Sequence, residues 1–300
     1  MILVMLIALL YQMVITVPAA KAYGAQFGPT YIFVDGVEPI FVNDPIIKSG
    51  TTMVEFRPIF EVLGLTVNWD PKNKKVIGKK EGITVEMIIG SKTAYVNGEE
   101  VTLNIAPYVK NGRTLIPLRF VAEASGKKVK WDGKTRMILI NDGLPSNKLN
   151  FEFTETNITS QLKEDALQGK LGPFHVGEIG KTLAEIVNRY GFPDARHDGT
   201  PSSDDIPFIV YGDYFLYYMG TYYDDELDYL RQTRITSLNV SLPEGTVNGD
   251  MLNVLGNPDA IEDGMFLTLD YYLGNHILSV ETSGYQYSSY AYAMSISLFK

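Results

Sequence analysis

The chain of 300 residues contains no cysteine. This absence excludes disulfides, thiolate metal sites, a cysteine nucleophile and a lipid anchor on cysteine, and it fits an exported protein of the Gram-positive type. Histidine is almost as scarce, with only His175, His197 and His276. None of the three has the His-x-x-x-His spacing of a metal site, so we predict neither a metal nor another cofactor.

Catalytic motifs are also missing. There is no Gly-x-Ser-x-Gly elbow and no glycine-rich phosphate loop. A net charge of −9 also does not favour binding to the negatively charged phosphates of nucleic acid. We therefore predict a protein that is not an enzyme and does not bind nucleic acid. Carboxylates are plentiful, as in Asp204-Asp205 and 224–228, so a cell-envelope hydrolase with two catalytic carboxylates is the alternative. A calcium loop at 224–228 is disfavoured because the Asp-x-Asp-x-Asp spacing is absent.

Long apolar runs are absent after residue 22. Residues 1–22 are apolar and end in Ala20-Lys21-Ala22, the small-x-small pattern that precedes a signal-peptidase cut. We predict a signal peptide cleaved before Tyr23, and a secreted or cell-surface protein. Because the basic n-region is missing, the alternative is an uncleaved anchor, which would then be the chain's membrane attachment.

A block of the chain is present twice. The segment 51–70, TTMVEFRPIFEVLGLTVNWD, returns as RTLIPLRFVAEASGKKVKWD at 113–132. Each copy predicts a strand, a short helix that ends at a C′ glycine (Gly64 or Gly126), and a strand that carries tryptophan (Trp69 or Trp131). The sequence therefore predicts an α+β unit, a mostly antiparallel sheet on a helix, used twice.

Both copies contain conspicuous polar and aromatic residues. Arg57 with Glu61, and Arg119 with Glu123, are four residues apart on a helix, which is the spacing of an ordinary surface ion pair. We interpret Trp69 and Trp131 as core-packing residues because each lies in the strand after a helix. A platform for stacking sugars is the alternative for the two tryptophans.

The block around Gly112 to Asp132, with the connecting segment 88–98, resembles the stalk module named after the N-terminal domain of copper amine oxidases. The resemblance covers about residues 30–141 and implies a small sheet wrapped on a helix. It does not imply copper, because in those oxidases the metal belongs to another domain. Copy one departs from the pattern by having Glu55 where copy two has Pro117, and Pro58 where it has Phe120.

Charge divides the chain after residue 22 into two parts. Residues 23–145 hold 16 lysines and arginines against 13 carboxylates, whereas residues 146–300 hold 9 against 22. The change coincides with a cluster of turn-forming residues at 142–147. We therefore predict a stalk-type repeat domain at 23–145 and an acidic, tyrosine-rich α+β binding domain at 146–300.

The second part also repeats itself. Gly-x-Pro-Asp occurs twice after an amphipathic helix, as Gly191, Pro193 and Asp194 and then as Gly256, Pro258 and Asp259. Glycine and proline stop the helix, and we expect the aspartate to cap backbone amides. Strands follow each copy, which predicts tandem helix-plus-antiparallel-sheet units. The pattern resembles a secreted bacterial domain of unknown function and, more distantly, β-lactamase inhibitor protein.

Tyrosine is concentrated in this second part, where 14 of the 19 tyrosines follow Asn188. Adjacent pairs must point to opposite faces of a sheet, so some tyrosines are expected to be exposed. A tyrosine-rich sheet face favours recognition of a protein or a cell-wall glycan, although strands favour tyrosine anyway. Our candidate partner-binding residues are Tyr214, Tyr218, Tyr222 and Tyr271.

Overall fold

A computed structural model describes residues 30–143, 151–198, 207–219, 234–243, 246, 248–263, 267–282 and 293–299. The described residues form short helices and many antiparallel strands, which confirms the predicted α+β class. The predicted signal segment 1–22 lies outside the described residues. Within the described ranges, no helix has both the length and the apolar character that crossing a membrane requires.

The N-terminal part alternates strands with two seven-residue helices. Its helices are α1 (Phe56–Val62) and α2 (Leu118–Ala124). Its strands are β1 (Tyr31–Val34), β2 (Ile46–Lys48), β3 (Thr51–Glu55), β4 (Thr66–Asp70), β5 (Lys75–Lys80), β6 (Ile83–Ile88), β7 (Thr93–Val96), β8 (Glu99–Thr102), β9 (Tyr108–Lys110), β10 (Arg113–Pro117), β11 (Lys128–Asp132) and β12 (Met137–Asn141).

The two repeat copies join through a four-stranded sheet of order β2-β3-β10-β9. Its central strands pair antiparallel, with Val54 opposite Ile116, and both residues are fully buried. Each central strand runs directly into its helix, so α1 and α2 lie over one shared core. The ammonium of Lys80 lies 3.5 Å from the carbonyl oxygen of Leu63 and 3.0 Å from that of Ser125, which are the C-caps of the two helices. A cation at two helix C-termini stabilises their unpaired carbonyls.

The two copies differ in how their second sheet is completed. In copy one, β4 to β8 form a five-stranded antiparallel sheet. In copy two, β1 comes from before the first copy and pairs in parallel with β12, in the order β1-β12-β11. The residues of β1 and β12 are buried without alternation, which is the pattern of strands covered on both faces. A strand from the start of the N-terminal part therefore completes the sheet at the end of that part.

Glu55, one of the two residues at which copy one departs from the repeat pattern, has a structural role. Its side chain is buried, and its carboxylate accepts hydrogen bonds from the backbone N–H of Asn43 at 2.8 Å, from the side-chain amide of Asn43 and, at 3.3 Å, from the N–H of Val42. The loop between β1 and β2 is thereby fastened to β3. A proline at this position would supply no acceptor side chain.

The C-terminal part is built from three helices and ten strands among its described residues. The helices are α3 (Ser160–Leu167), α4 (Leu183–Tyr190) and α5 (Asn248–Leu255). The strands are β13 (Lys170–Leu171), β14 (Phe174–His175), β15 (Ala195–His197), β16 (Phe208–Tyr211), β17 (Tyr214–Met219), β18 (Arg234–Ser241), β19 (Ala260–Asp263), β20 (Leu267–Leu273), β21 (His276–Thr282) and β22 (Ala293–Phe299).

Eight of these strands form one antiparallel sheet of order β15-β16-β17-β18-β22-β21-β20-β19. Strands β15 to β18 follow the first Gly-x-Pro-Asp corner, and β19 to β22 follow the second. The two four-stranded units join edge to edge through β18 and β22, with Leu238 opposite Leu298. The predicted tandem units therefore share a single sheet.

One face of this sheet, here called the helix face, packs on α3, α4 and α5. The same core includes Tyr31, Phe33, Met137 and Leu139 of the N-terminal part. Their neighbours Ile32 and Ile138 belong instead to the core under α1 and α2. The sheet of β1, β12 and β11 is thus shared by two cores, one on each of its faces.

Candidate binding face of the eight-stranded sheet

Both Gly-x-Pro-Asp corners make the same hydrogen bonds. The carboxylate of Asp194 accepts the N–H of Gly212 at 2.7 Å, and that of Asp259 accepts the N–H of Tyr272 at 2.7 Å. The N–H of Asp194 also donates to the carbonyl of Val210, as that of Asp259 does to Asp270. The aspartates cap backbone amides as expected, and each fastens the end of a helix to a strand of the sheet.

A tyrosine from the helix face completes each corner. The hydroxyl of Tyr211 donates to the carbonyl of Gly191 at 2.7 Å, and that of Tyr271 donates to the carbonyl of Gly256 at 3.2 Å. Both side chains are buried. Burial raises the pKa of Tyr211 well above its ordinary value, so this hydroxyl stays a donor. Tyr271 is therefore the structural counterpart of Tyr211.

Two of the four candidate binding tyrosines are buried in the structure. Tyr214 and Tyr271 are each only 2% exposed, so the expectation that they line a binding surface is wrong. Tyr214 packs edge-on against Phe153 and Phe174, and burial raises its pKa to about 12. Tyr218 is in β17, but its side chain is outside the described residues. Tyr222 is outside them altogether.

The opposite face, here called the open face, carries a tyrosine that the candidate set omitted. Tyr272 is 57% exposed, although its neighbour Tyr271 is buried. The opposite orientation of adjacent strand residues had indicated that one member of such a pair is exposed. It could not indicate which member, because that depends on where the helices pack.

The central row of the open face is polar. Directly opposite residues share a face, and the pairing places Asn239, Ser297, Ser279 and Asp270 side by side across four strands. The amide of Asn239 donates to the Ser297 hydroxyl at 2.6 Å, and the Ser279 hydroxyl donates to Asp270 at 2.5 Å. The carbonyl oxygen of the Asn239 side chain is buried without a hydrogen-bond partner.

The two ends of the open face differ. At the β15 end, Ala195, Phe208, Val210 and Phe215 form a small buried cluster with Tyr217 beside it, and its described members all come from the sheet. At the β19 end, Tyr272 lies opposite Ile277, which is 39% exposed. The described helices pack on the helix face, so the β19 end of the open face has accessible aromatic and apolar side chains next to the polar row.

The motif residues of the N-terminal part occupy surface and turn positions. Arg57 lies 4.0 Å from Glu61, and Arg119 lies 3.3 Å from Glu123, with all four side chains more than half exposed. Such exposed pairs are expected to contribute little to stability. Gly64 and Gly126 have positive φ angles of 74° and 83° at the C′ positions.

Trp69 and Trp131 only partly fit the core interpretation. Each lies opposite a buried core residue, Val76 or Ile138, yet each remains 38% exposed. Both are in the outer strand of their sheet, where one side of the indole has no strand beside it. A partly accessible ring at such an edge keeps the sugar-stacking alternative open.

The histidines form no recognisable metal centre. The Nδ1 atom of His175 accepts the N–H of Gly177 at 2.9 Å, so this histidine caps a 3-10 turn. Among the residues whose positions are described, no group of three or more histidines and carboxylates could hold a metal ion. The acidic segments 204–205 and 224–228 lie outside the described residues.

Two carboxylates, from Glu155 and Asp250, line a cleft of about 420 Å³ beside α5. The other residues that line it are Ile158, Thr246, Asn253 and Val254. This cleft is on the helix side of the domain and not on the open face. It is the place where the hydrolase alternative can be tested.

Charged groups also lie between the N-terminal and C-terminal parts. The guanidinium of Arg196 lies 4.5 Å from the ring centre of Tyr31 and forms a 2.9 Å ion pair with Asp198. Glu38 is half-buried, and its loss of water raises the pKa of its carboxyl to about 7, while Arg196 acts in the opposite direction. The two parts therefore share polar as well as apolar contacts.

Comparison with known proteins agrees with the N-terminal prediction. The family described as the copper amine oxidase N-terminal domain matches residues 33–140, so the resemblance predicted for about 30–141 is confirmed. The matched domain is a non-catalytic module. No curated protein matches the chain.

One solved structure similar to this chain is a DUF4309 family protein (YjgB) from Bacillus subtilis subsp. subtilis str. 168. The similarity has 14% identity and a TM-score of 0.34, and covers 48% of this chain and 98% of that chain. A likeness this weak carries no argument about the present fold.

Proposed function

We propose that the protein is a secreted or cell-surface, non-enzymatic binding protein, in which the N-terminal stalk-type part presents the open face of the eight-stranded sheet to a partner. The observation that carries the proposal is the contrast between the two faces. The helix face is closed by α3, α4 and α5, whereas the open face keeps Tyr272 and Ile277 accessible.

The chemistry of this face suits recognition. Tyrosine offers a broad contact area and a polar tip at a small cost in side-chain entropy, and exposed aromatic residues are frequent hot spots. The backbone N–H of Tyr272 donates to Asp259, so the backbone position from which the ring projects is fixed. A fixed aromatic anchor loses little entropy on binding.

Photo-crosslinking tests this proposal. The photoreactive residue p-benzoylphenylalanine would replace Tyr272 in the full chain. A matched control would replace Ile261, an exposed residue of β19 that lies opposite the core residue Leu269 and so points to the helix side. With extracts of the producing cells, we expect a saturable adduct of defined mass from position 272 and not from position 261. Equal adducts from both positions, or none from 272, would contradict the proposal.

A cell-envelope hydrolase is the second candidate, and the cleft lined by Glu155 and Asp250 is the observation that favours it. A glycosidase requires two carboxylates that flank the scissile bond. The full chain would therefore be assayed on purified cell-wall glycan, with Glu155→Gln and Asp250→Asn as variants. Hydrolysis that both substitutions abolish would replace the binding proposal.

A further inference from the structure

We propose that the open face between β18 and β20 recognises a neutral glycan, whose sugar rings lie on Tyr272 and Ile277 and whose hydroxyl groups bond to the neighbouring polar row. This inference rests on the proposed function and specifies its partner. The chemistry of that partner is inferred from two rows of side chains that the strand register places next to each other.

Two neighbouring rows of the open face differ in chemistry. In the first, Tyr272 lies opposite Ile277, and both side chains are accessible to solvent. The second is the polar row. It lies two residues along each strand, since Asp270 precedes Tyr272 by two positions and Ser279 follows Ile277 by two. A ligand that lies across the strands can therefore contact apolar side chains with one part and polar side chains with another.

The polar row and its surroundings present hydroxyl groups that are partly accessible. Ser279 and Ser297 of the row are half-buried, as are Ser237 and Ser241 of β18 on the same face. A serine hydroxyl can both donate and accept a hydrogen bond. Ser279 donates within the row and can still accept, whereas Ser297 accepts within it and can still donate. This mixture of donors and acceptors suits the hydroxyl groups of a sugar.

The open face offers little charge to a partner. Strands β20, β21 and β22 contain no lysine or arginine. Of the carboxylates that these strands place on this face, Asp270 is buried and bonded to Ser279, and Glu281 already has an interaction partner. A charged partner would lose water from its ionic groups here without gaining a counter-charge. An anionic partner is further disfavoured because the C-terminal part has 22 carboxylates against 9 lysines and arginines.

A protein partner fits the polar row less well than a glycan does. The centre of a protein–protein interface is enriched in aromatic residues, methionine and arginine, and it is depleted of serine. The polar row would lie within any interface that extends from Tyr272 towards the middle of the sheet. A glycan instead combines hydrogen bonds from its hydroxyl groups with stacking of an apolar ring face on an aromatic side chain.

The width of this region sets the length of glycan that it can hold. Neighbouring strands are about 4.8 Å apart, so β20 and β18, with β22 and β21 between them, are separated by about 14 Å. This distance corresponds to about three linked sugar rings. Affinity should therefore rise with the length of the glycan until it reaches β18, and then level off.

Neutral oligosaccharides of known composition provide the probes. They are cello-, chito- and malto-oligosaccharides of two, four and six units, and oligogalacturonate of the same lengths is the anionic control. Binding to the full chain would be measured by isothermal titration calorimetry at low and at high salt. We expect at least one neutral series to bind, with about a tenfold gain from two to four units and less than about a twofold change from four to six. Salt should change this binding by less than about twofold, and oligogalacturonate should not bind.

Variants assign this binding to the open face. We expect Tyr272→Ala to weaken the tetrasaccharide about tenfold. The double variant Ser237→Ala/Ser241→Ala, which removes two hydroxyl groups from β18, should weaken it about threefold or more. The control variants Trp69→Ala and Trp131→Ala remove the partly exposed rings of the N-terminal part and should each change binding by less than about twofold. Melting curves of every variant would verify that the fold is intact.

The contradictory outcomes are distinct. If no neutral oligosaccharide binds up to about 10 mM, the inference is wrong, while a saturable adduct from position 272 would still support the proposed function. If oligosaccharides bind and the open-face variants do not weaken them, both the inference and the assignment of binding to the open face fail. A loss of binding in a folded tryptophan variant would then place the glycan on the N-terminal part. Binding of oligogalacturonate that weakens with salt would contradict a neutral partner.

Discussion

The two faces of the eight-stranded sheet are made from the same strands but have different roles. Tyr271 and Tyr272 are adjacent, yet one is 2% exposed and the other 57%. The first closes a helix end through its hydroxyl, and the second projects into solvent. Two tyrosines in one strand can therefore have different roles. Whether a tyrosine is structural or a candidate for binding depends on what packs against its side chain.

The largest expected effect is on the helix face. Truncation of a buried aromatic residue leaves a cavity, and here it also leaves a helix-end carbonyl unpaired. We expect Tyr211→Ala and Tyr271→Ala each to lower the free energy of unfolding by about 3–5 kcal/mol, measured by chemical denaturation of the full chain. The matched Tyr272→Ala should cost less than about 0.5 kcal/mol. Equal losses at positions 271 and 272 would remove the distinction between the faces.

A smaller effect is expected at the two Gly-x-Pro-Asp corners. Asp194→Ala and Asp259→Ala each leave a backbone N–H without its carboxylate acceptor, which should cost about 1–3 kcal/mol. Asp→Asn at the same positions keeps an acceptor oxygen and should cost less. Thermal melts of the four variants would measure this. If one corner tolerates alanine and the other does not, the two halves of the sheet are not equivalent.

The contact between the N-terminal and C-terminal parts should also respond to pH through Glu38, which interacts with Arg196. Burial favours the neutral carboxyl in the folded state, where the pKa is raised from 4.5 to about 7. The resulting stabilisation is present at low pH and is lost as the pH rises through the folded-state pKa. Between pH 5.5 and 8.5 we expect the wild type to lose about 1–2 kcal/mol relative to Glu38→Gln, because the half-buried side chain keeps some contact with water. Parallel pH-stability curves for the two proteins would contradict this.

Much of the fold could be predicted from the sequence because each structural unit is encoded by two repeat copies with the same local signals. The glycines at 64 and 126, the Gly-x-Pro-Asp corners and the tyrosine-rich strands are local signals with local causes. The parallel pairing of β1 with β12 could not be predicted from the sequence, because it joins segments about a hundred residues apart. The core shared between β12 and α4 likewise depends on tertiary packing.

The candidate site was less predictable than the fold. The rule that adjacent strand residues face opposite sides was correct, but the choice of Tyr214 and Tyr271 was wrong because the sequence does not say which face the helices cover. Trp69 and Trp131 remained partly exposed because both lie on outer strands, a fact of sheet order. Exposure therefore depended on the arrangement of whole elements.

The most direct test of the open face compares Tyr272→Ala with Tyr271→Phe in the full chain. Tyr271→Phe removes a buried hydroxyl and leaves the open face unchanged. Binding to the partner identified by crosslinking would be measured by surface plasmon resonance, beside thermal melts. We predict that Tyr272→Ala weakens binding about tenfold or more without a change in melting temperature, and that Tyr271→Phe lowers the melting temperature without weakening binding. Unchanged binding by a folded Tyr272→Ala variant would contradict the account.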